Sequence, residues 1–183
     1  MINRLLALIL LFIFLPVFLF ISLVIFIEDG FPVFFTQKRV GINYTFFKIY
    51  KFRSMKKNTP NVATHLLTNP DQYLLKIGKF IRKTSLDELP NLINIVKGEM
   101  VFVGPRPALY NQDDLMNLRL TTGVSKLKPG ITGWAQINGR DEISISEKVK
   151  LEQAYLYRKS VLFDLKIIIK TFTNVVFRKG VSH

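Results

Sequence analysis

From Leu5 to Ile27 every position is apolar except Pro16 and Ser22. As one helix this stretch would measure about 34 Å, enough to cross a bilayer. Apolar side chains cover almost every face, which argues against a core helix with a polar side. The run is long for a signal peptide, and Ile27-Glu28-Asp29 lacks a small-residue cleavage pattern. Pro16 lies near its middle, removes a helical hydrogen bond and bends the axis. Two arrangements follow: a kinked helix that spans the bilayer, or a re-entrant helix-break-helix whose two ends share one face.

Beyond Glu28-Asp29-Gly30 and Pro32, a turn, the pattern becomes mixed. Val33–Thr36 and Phe46–Met55 read as strands joined through Gly41-Ile42-Asn43. In the second strand Phe47, Ile49, Lys51 and Arg53 share one face, and Phe46, Lys48, Tyr50 and Phe52 the other. Asn58–Pro70 is a polar surface loop in which His65 has no partner at catalytic or metal spacing. Asp71–Lys83 and Phe163–Lys179 mix large apolar residues with lysine and arginine, as helices lying at a membrane interface do; ordinary surface helices packed on a core carry the same pattern. Asn111–Gly123 and Ser146–Arg158 are further helices. Lys128–Arg140, with Pro129-Gly130, Gly133 and Asn138-Gly139, is loop-rich around the anchor Trp134. The expected fold is α+β and mainly helical: an apolar segment over residues 1–29 and one domain over 30–183.

Composition narrows the partners. The net charge is +13, and of the basic residues only Arg4 precedes the end of the apolar run. Such a body faces anions: nucleic acid, anionic lipid or a phosphorylated substrate. No RNA- or DNA-binding motif is recognisable. The chain has no cysteine, which excludes disulfides and thiolate zinc sites.

The densest chemistry lies in Lys83–Leu109. Ser85 and Glu88 have capping-box spacing, and Pro90 suits the first position of a helix. Asp87 and Glu88 are thereby expected at a helix N-terminus, where anions are favoured; plain helix capping would give the same pair. Met100–Val103 is a short strand delivering Gly104-Pro105-Arg106-Pro107, in which two prolines reduce the cost of ordering Arg106. An arginine fork so held suits a diphosphate, though a surface turn would read alike. Lys48, Lys51 and Arg53 on the second strand either face an anion or pack their stems with charges in water.

Asp-Glu-Leu-Pro-Asn-Leu (87–92), Lys-Gly-Glu-Met (97–100), Val-Gly-Pro-Arg-Pro (103–107) and Lys-Pro-Gly-Ile-Thr-Gly-Trp-Ala-Gln-Ile-Asn-Gly-Arg (128–140) together resemble the monotopic phosphoglycosyl transferases, bacterial sugar transferases that start glycan assembly on polyprenyl phosphate. With Lys48–Met55 and the apolar segment, the resemblance covers nearly the whole chain. It implies a UDP-sugar donor, a polyprenyl (undecaprenyl) phosphate acceptor, Mg²⁺, the re-entrant arrangement broken at Pro16, and a catalytic domain on the cytoplasmic face of the inner membrane. It further implies catalysis by Asp87 and Glu88, with both as metal ligands, and phosphate binding by Arg106 and Lys51. Arg82, five residues before Asp87, either flanks the same site as a phosphate ligand or is solvated at the end of its helix, and Arg140 is a candidate second phosphate ligand. Leu15 stands where many relatives have serine, and Glu152-x-x-Tyr155 where Asp-x-x-Tyr is common; no catalytic role is assigned to Glu152. The apolar helix can also support a homodimer. The competing class is a basic, membrane-anchored binding module for anionic lipid or nucleic acid. A polyanion binder gains nothing from two carboxylates beside Pro-Arg-Pro, which favours the enzyme.

Overall fold

The computed structural model describes residues 1–60, 69–139 and 143–177. His65 and Arg140 lie outside these residues.

The apolar segment is two helices, α1 (Ile2–Ile13) and α2 (Leu15–Asp29), bent by 62°. Pro16 falls in the first turn of α2, where its missing N–H would have no helical partner anyway, and Phe14 is the joint. Among the described residues no single helix is long and apolar enough to cross a membrane; only the bent pair together has the length and composition. Both ends of the pair are tied to the rest of the chain. At the start, Arg4 donates to the Lys97 carbonyl (3.4 Å), Asn3 accepts from the Phe102 N–H (3.5 Å), and Ala7 is fully buried. At the finish, the Glu28 carboxylate accepts from the Lys76 and Ile77 N–H groups (2.5 and 3.3 Å), and Asp29 pairs with Arg53.

β1 (Phe34–Val40) and β2 (Phe46–Phe52) form an antiparallel hairpin that sets Phe34 opposite Phe52 and Val40 opposite Phe46. β2 alternates as expected. Phe47 and Ile49 join Leu92, Ile95 and Met100 in one core cluster, whereas Phe52 faces Phe18, Ile21 and Ile25 of α2 in another. Arg53 follows neither expected reading, facing a substrate anion or holding its charge in water. It is buried, and besides Asp29 its guanidinium donates to the Pro32 and Gly30 carbonyls (both 2.6 Å), so it ties the end of α2 to the hairpin.

The helix expected over Asp71–Lys83 is split into a 3-10 turn, Pro70–Tyr73, and α3 (Lys76–Lys83). Leu74 bridges to Met55 and the Leu75 N–H donates to the Ser54 carbonyl (3.0 Å), so backbone pairing takes the residues between. Leu75 and Ile81 are buried, whereas Phe80 is exposed.

The remainder packs α4 (Asn91–Lys97), β3 (Val101–Val103), α5 (Asp113–Thr121), β4 (Gly130–Thr132), α6 (Trp134–Asn138), α7 (Ile145–Arg158) and α8 (Val161–Val176). β3 and β4 are parallel, Val101 opposite Gly130 and Val103 opposite Thr132. The segment expected to be loop thus contains a strand and a helix, each too short to show a hydrophobic period. Trp134 is an anchor, its ring 5.0 Å from that of Phe163. Leu115, Val124, Val149, Tyr155 and Ile167 build the third core cluster around Val103. On α8, Ile167 is buried, but Val161, Leu162, Leu165, Ile169 and Phe172 are exposed. An apolar face of that kind is uncommon on a monomer without a partner surface.

Candidate active site

Three pieces of backbone converge on Asp87 and Glu88. Ser85 adopts a left-handed conformation (φ 57°) that starts a 3-10 turn, Leu86–Glu88, immediately before α4. The expected capping box does not form: Ser85 makes no side-chain cap, and α4 begins only at Asn91 with Pro90 as its N-cap. Asp87 and Glu88 therefore precede the helix N-terminus. The Glu88 carboxylate turns toward cations, which hold it more strongly than a neutral amide would. Lys51 Nζ, from β2, lies 2.6 Å from Glu88 Oε1, and Arg106, from the loop after β3, lies 3.5 Å from the same oxygen.

Asp87 is half-buried, and burial pushes its carboxyl up to about 6. Lys51 opposes that rise, Glu88 adds to it, and Arg82 and Arg106 oppose it. Lys51, Arg82, Asp87, Glu88 and Arg106 are thus one electrostatic unit. Arg140 lies outside the described residues. Lys48 is exposed on the opposite face of β2 from Lys51.

Two residues lining the cleft beside Glu88 are given no role by the sequence motifs. Arg39 of β1 donates to the Pro107 carbonyl (3.1 Å) and to Gln37 (2.6 Å), and its Nε is buried without a partner. Burial, with Arg106 nearby, lowers its pKa to about 10, which leaves it charged at neutral pH. The signal lay in the hairpin: extending the first strand to Val40 puts Arg39 across from Phe47, on the face that carries Lys51. Asn91 opens α4, is 1% exposed, and has an Oδ1 with no hydrogen-bond partner. An open cleft of about 260 Å³ is lined by Arg39, Lys51, Glu88, Asn91, Arg106 and Ile131, among others. A buried acceptor left unpaired costs about 1–3 kcal/mol, which Asn91 carries at the wall of this cleft.

The loop bearing Arg106 is held closely. The Gly104 N–H donates to the Thr132 carbonyl and the Gly130 N–H to the Pro105 carbonyl, both at 2.9 Å. Behind it, buried Arg119 donates to the Arg106 carbonyl (3.0 Å) and pairs with Glu152.

Among the described residues no three His, Cys, Asp or Glu side chains cluster as a metal cage. Mg²⁺ does not require one, since it binds through one or two carboxylates together with substrate phosphates and water. Two adjacent hard-oxygen carboxylates, Glu88 lining the cleft beside Lys51, Arg39 and Arg106 and Asp87 next to it in the chain, fit that donor chemistry.

Residues 1–178 match the family model described as bacterial sugar transferase. The chain is 41% identical over 167 residues to an uncharacterized sugar transferase, EpsL, of Bacillus subtilis, covering 91% of this chain and 81% of the relative. Identity to the exopolysaccharide production protein ExoY of Rhizobium meliloti is 36% over 185 residues, 93% of this chain and 81% of the relative. Identity to the UDP-glucose:undecaprenyl-phosphate glucose-1-phosphate transferase of Escherichia coli is 41% over 164 residues. That match covers 85% of this chain but 35% of the longer relative.

Proposed function

The chain belongs to the bacterial sugar transferase family, and from that premise we propose that it transfers a sugar phosphate from a UDP-sugar to polyprenyl phosphate, releasing UMP. The observation that carries this reading is the half-buried acid Asp87, poised near pH 6, beside a Glu88 already gripped by Lys51 and Arg106. The acceptor and donor named for the Escherichia coli relative support it.

The chemistry divides into two displacements. Ionised Asp87 attacks the sugar-bearing phosphorus; the bond from that phosphorus to the bridging oxygen breaks, and UMP departs with its electron pair. An oxygen of polyprenyl phosphate then attacks the aspartyl phosphorus, breaks the acyl-phosphate bond and frees Asp87. Dividing one transfer in this way is ordinary nucleophilic catalysis with ping-pong kinetics. Mg²⁺ held by Asp87 and Glu88 with the diphosphate would neutralise charge that otherwise repels the nucleophile. Arg106 and Lys51 stabilise phosphate oxygens as their charge redistributes, and Arg82 and Lys51 keep Asp87 ionised. Lys51 also fixes the Glu88 carboxylate, so the dyad does not rotate away from the cleft.

A lipid acceptor needs a membrane seat. The re-entrant reading is supported by α1 and α2, because Asn3, Arg4, Glu28 and Asp29 all contact one domain. A spanning segment would separate those ends by about 30 Å. Leu8, Phe12, Leu15, Leu19 and Phe20 are exposed along the bent pair, as are the outer apolar residues of α8, and hydrocarbon would cover them. The domain then lies on the cytoplasmic face, where the nucleotide sugar is found.

The test is UMP release by detergent-purified protein from a panel of UDP-sugars with Mg²⁺ and undecaprenyl phosphate, with the labelled sugar followed into lipid. Release and lipid labelling that vanish in Asp87→Asn agree with the proposal. Vesicle binding without release from any sugar returns the chain to a membrane-bound anion binder.

A further inference from the structure

Glu152 of α7 and Arg119 of α5 form the most buried ion pair among the described residues, with side chains 2% and 10% exposed. The fork is doubly bonded: Nε lies 2.7 Å from Oε2 and Nη2 lies 2.5 Å from Oε1. Withdrawing two charges from water seldom stabilises a fold more than apolar residues of the same volume would. The pair nevertheless makes one contact that apolar residues could not. Arg119 Nη2 also donates to the main-chain carbonyl of Arg106, 3.0 Å away.

That carbonyl is a leverage point. Pro105 and Pro107 restrict the chain on either side, and Arg39 grips the next carbonyl, that of Pro107. Two guanidiniums from different elements therefore hold successive carbonyls of the loop, while the Arg106 side chain reaches toward Glu88, 3.5 Å away. A shallow hollow lined by Tyr44, Pro105, Met116, Arg119 and Pro129, among others, adjoins the loop on the side of Arg119, so packing alone does not hold the loop there. Glu152 fixes Arg119, Arg119 fixes the Arg106 backbone, and the Arg106 guanidinium stays directed at the dyad.

We infer that the Arg119–Glu152 pair is a positioning device for Arg106, acting on donor diphosphate binding and transfer without touching substrate. The diphosphate part rests on the function proposed above. The pair explains why Glu152 lies in the core of α7, facing Arg119 rather than the cleft.

The decisive variant is the double substitution Arg119→Met with Glu152→Leu, which removes both charges together and leaves none buried alone. A merely structural pair tolerates it; a positioning pair does not. The expected result is a melting temperature near that of the wild type, faster amide hydrogen exchange in peptides covering residues 101–109, and kcat/KM for the UDP-sugar lower by about tenfold or more, as small misplacements of a catalytic group produce. In an Arg106→Ala background the same double substitution should lower kcat/KM no further, because its effect runs through Arg106. Unchanged loop exchange and wild-type kcat/KM in the folded double variant would overturn the inference, as would an equal fall in the Arg106→Ala background. If the double variant does not fold, Glu152→Asp decides: faster loop exchange with a smaller fall in kcat/KM supports positioning, and unchanged values contradict it. A wild-type protein that releases no UMP sinks the functional reading alone, since loop exchange still reports whether Arg106 is tethered.

Discussion

Lys51 Nζ lies 2.6 Å from Glu88 Oε1 across 37 residues of sequence, so the second strand of the hairpin and the turn before α4 are joined at the carboxylate dyad. Asp87 is pushed up to about 6 by burial, and Lys51 is the largest influence pulling it down.

The pH dependence follows with a definite sign. Asp87 must be ionised to act, so kcat should rise through an acid limb near pH 6 and level off above it. Removing a cation that favours the charged form raises a carboxyl pKa. In Lys51→Met the limb should therefore move to higher pH, whatever happens to the plateau rate. A pH–rate profile whose limb stays in place or moves down would disprove the coupling.

Arg53 is predicted to matter for the fold rather than for turnover. Its partners are the Asp29 carboxylate and the carbonyls of Asp29, Gly30 and Pro32. Arg53→Met leaves the Gly30 and Pro32 carbonyls without their side-chain donor and Asp29 with the Lys57 N–H alone, a loss of about 1–3 kcal/mol. Denaturant unfolding in detergent measures it; a change below about 1 kcal/mol would show that the junction is held elsewhere.

Gly130 and Gly104 lie back to back where the two short parallel strands meet. A Cβ on Gly130 would sit 2.2 Å from the Gly104 nitrogen and 2.6 Å from the Thr132 oxygen. Gly130→Ala should cost about 1–3 kcal/mol by overpacking and displace the Arg106 loop with it. Thermal melting read together with turnover checks this, and the two should fall together.

The arrangement of the N-terminal helices is open to chemical labelling because the chain has no cysteine. Ile2 and Asn58 are both exposed. In sealed inverted vesicles, an impermeant maleimide should label Ile2→Cys and Asn58→Cys from the same side. Opposite sides would mean that the bent pair crosses the bilayer.

How much of this was legible beforehand depended on the length of each signal. The apolar run, the hairpin and the long helices α7 and α8 carry enough residues to show a period, and Pro16 marked the break. Gly130–Thr132 and Trp134–Asn138 have three and five residues, too few for any period, so their sequence carries only a loop signal. Asp71–Lys83 read as one helix because its apolar spacing hides the tertiary pairing of Leu74 and Leu75 with Met55 and Ser54. At the site, Asp87, Glu88, Arg106 and Lys51 came from motif resemblance and Arg82 from its place five residues before Asp87, and the structure brings them together. Arg39, Asn91 and Arg119 did not come forward, because their roles rest on carbonyls and orphaned atoms supplied by distant segments. The capping box failed for a local reason: with Ser85 left-handed, Glu88 turns to Lys51 instead.

The most direct test of the central claim is the intact mass of the purified protein after incubation with each UDP-sugar and Mg²⁺, with no lipid acceptor present. The account predicts an adduct of one phosphosugar, formed with release of UMP, absent in Asp87→Asn and discharged by adding undecaprenyl phosphate. If UMP appears only when the lipid phosphate is present and no sugar leaves an adduct, transfer is direct and Asp87 is not the nucleophile.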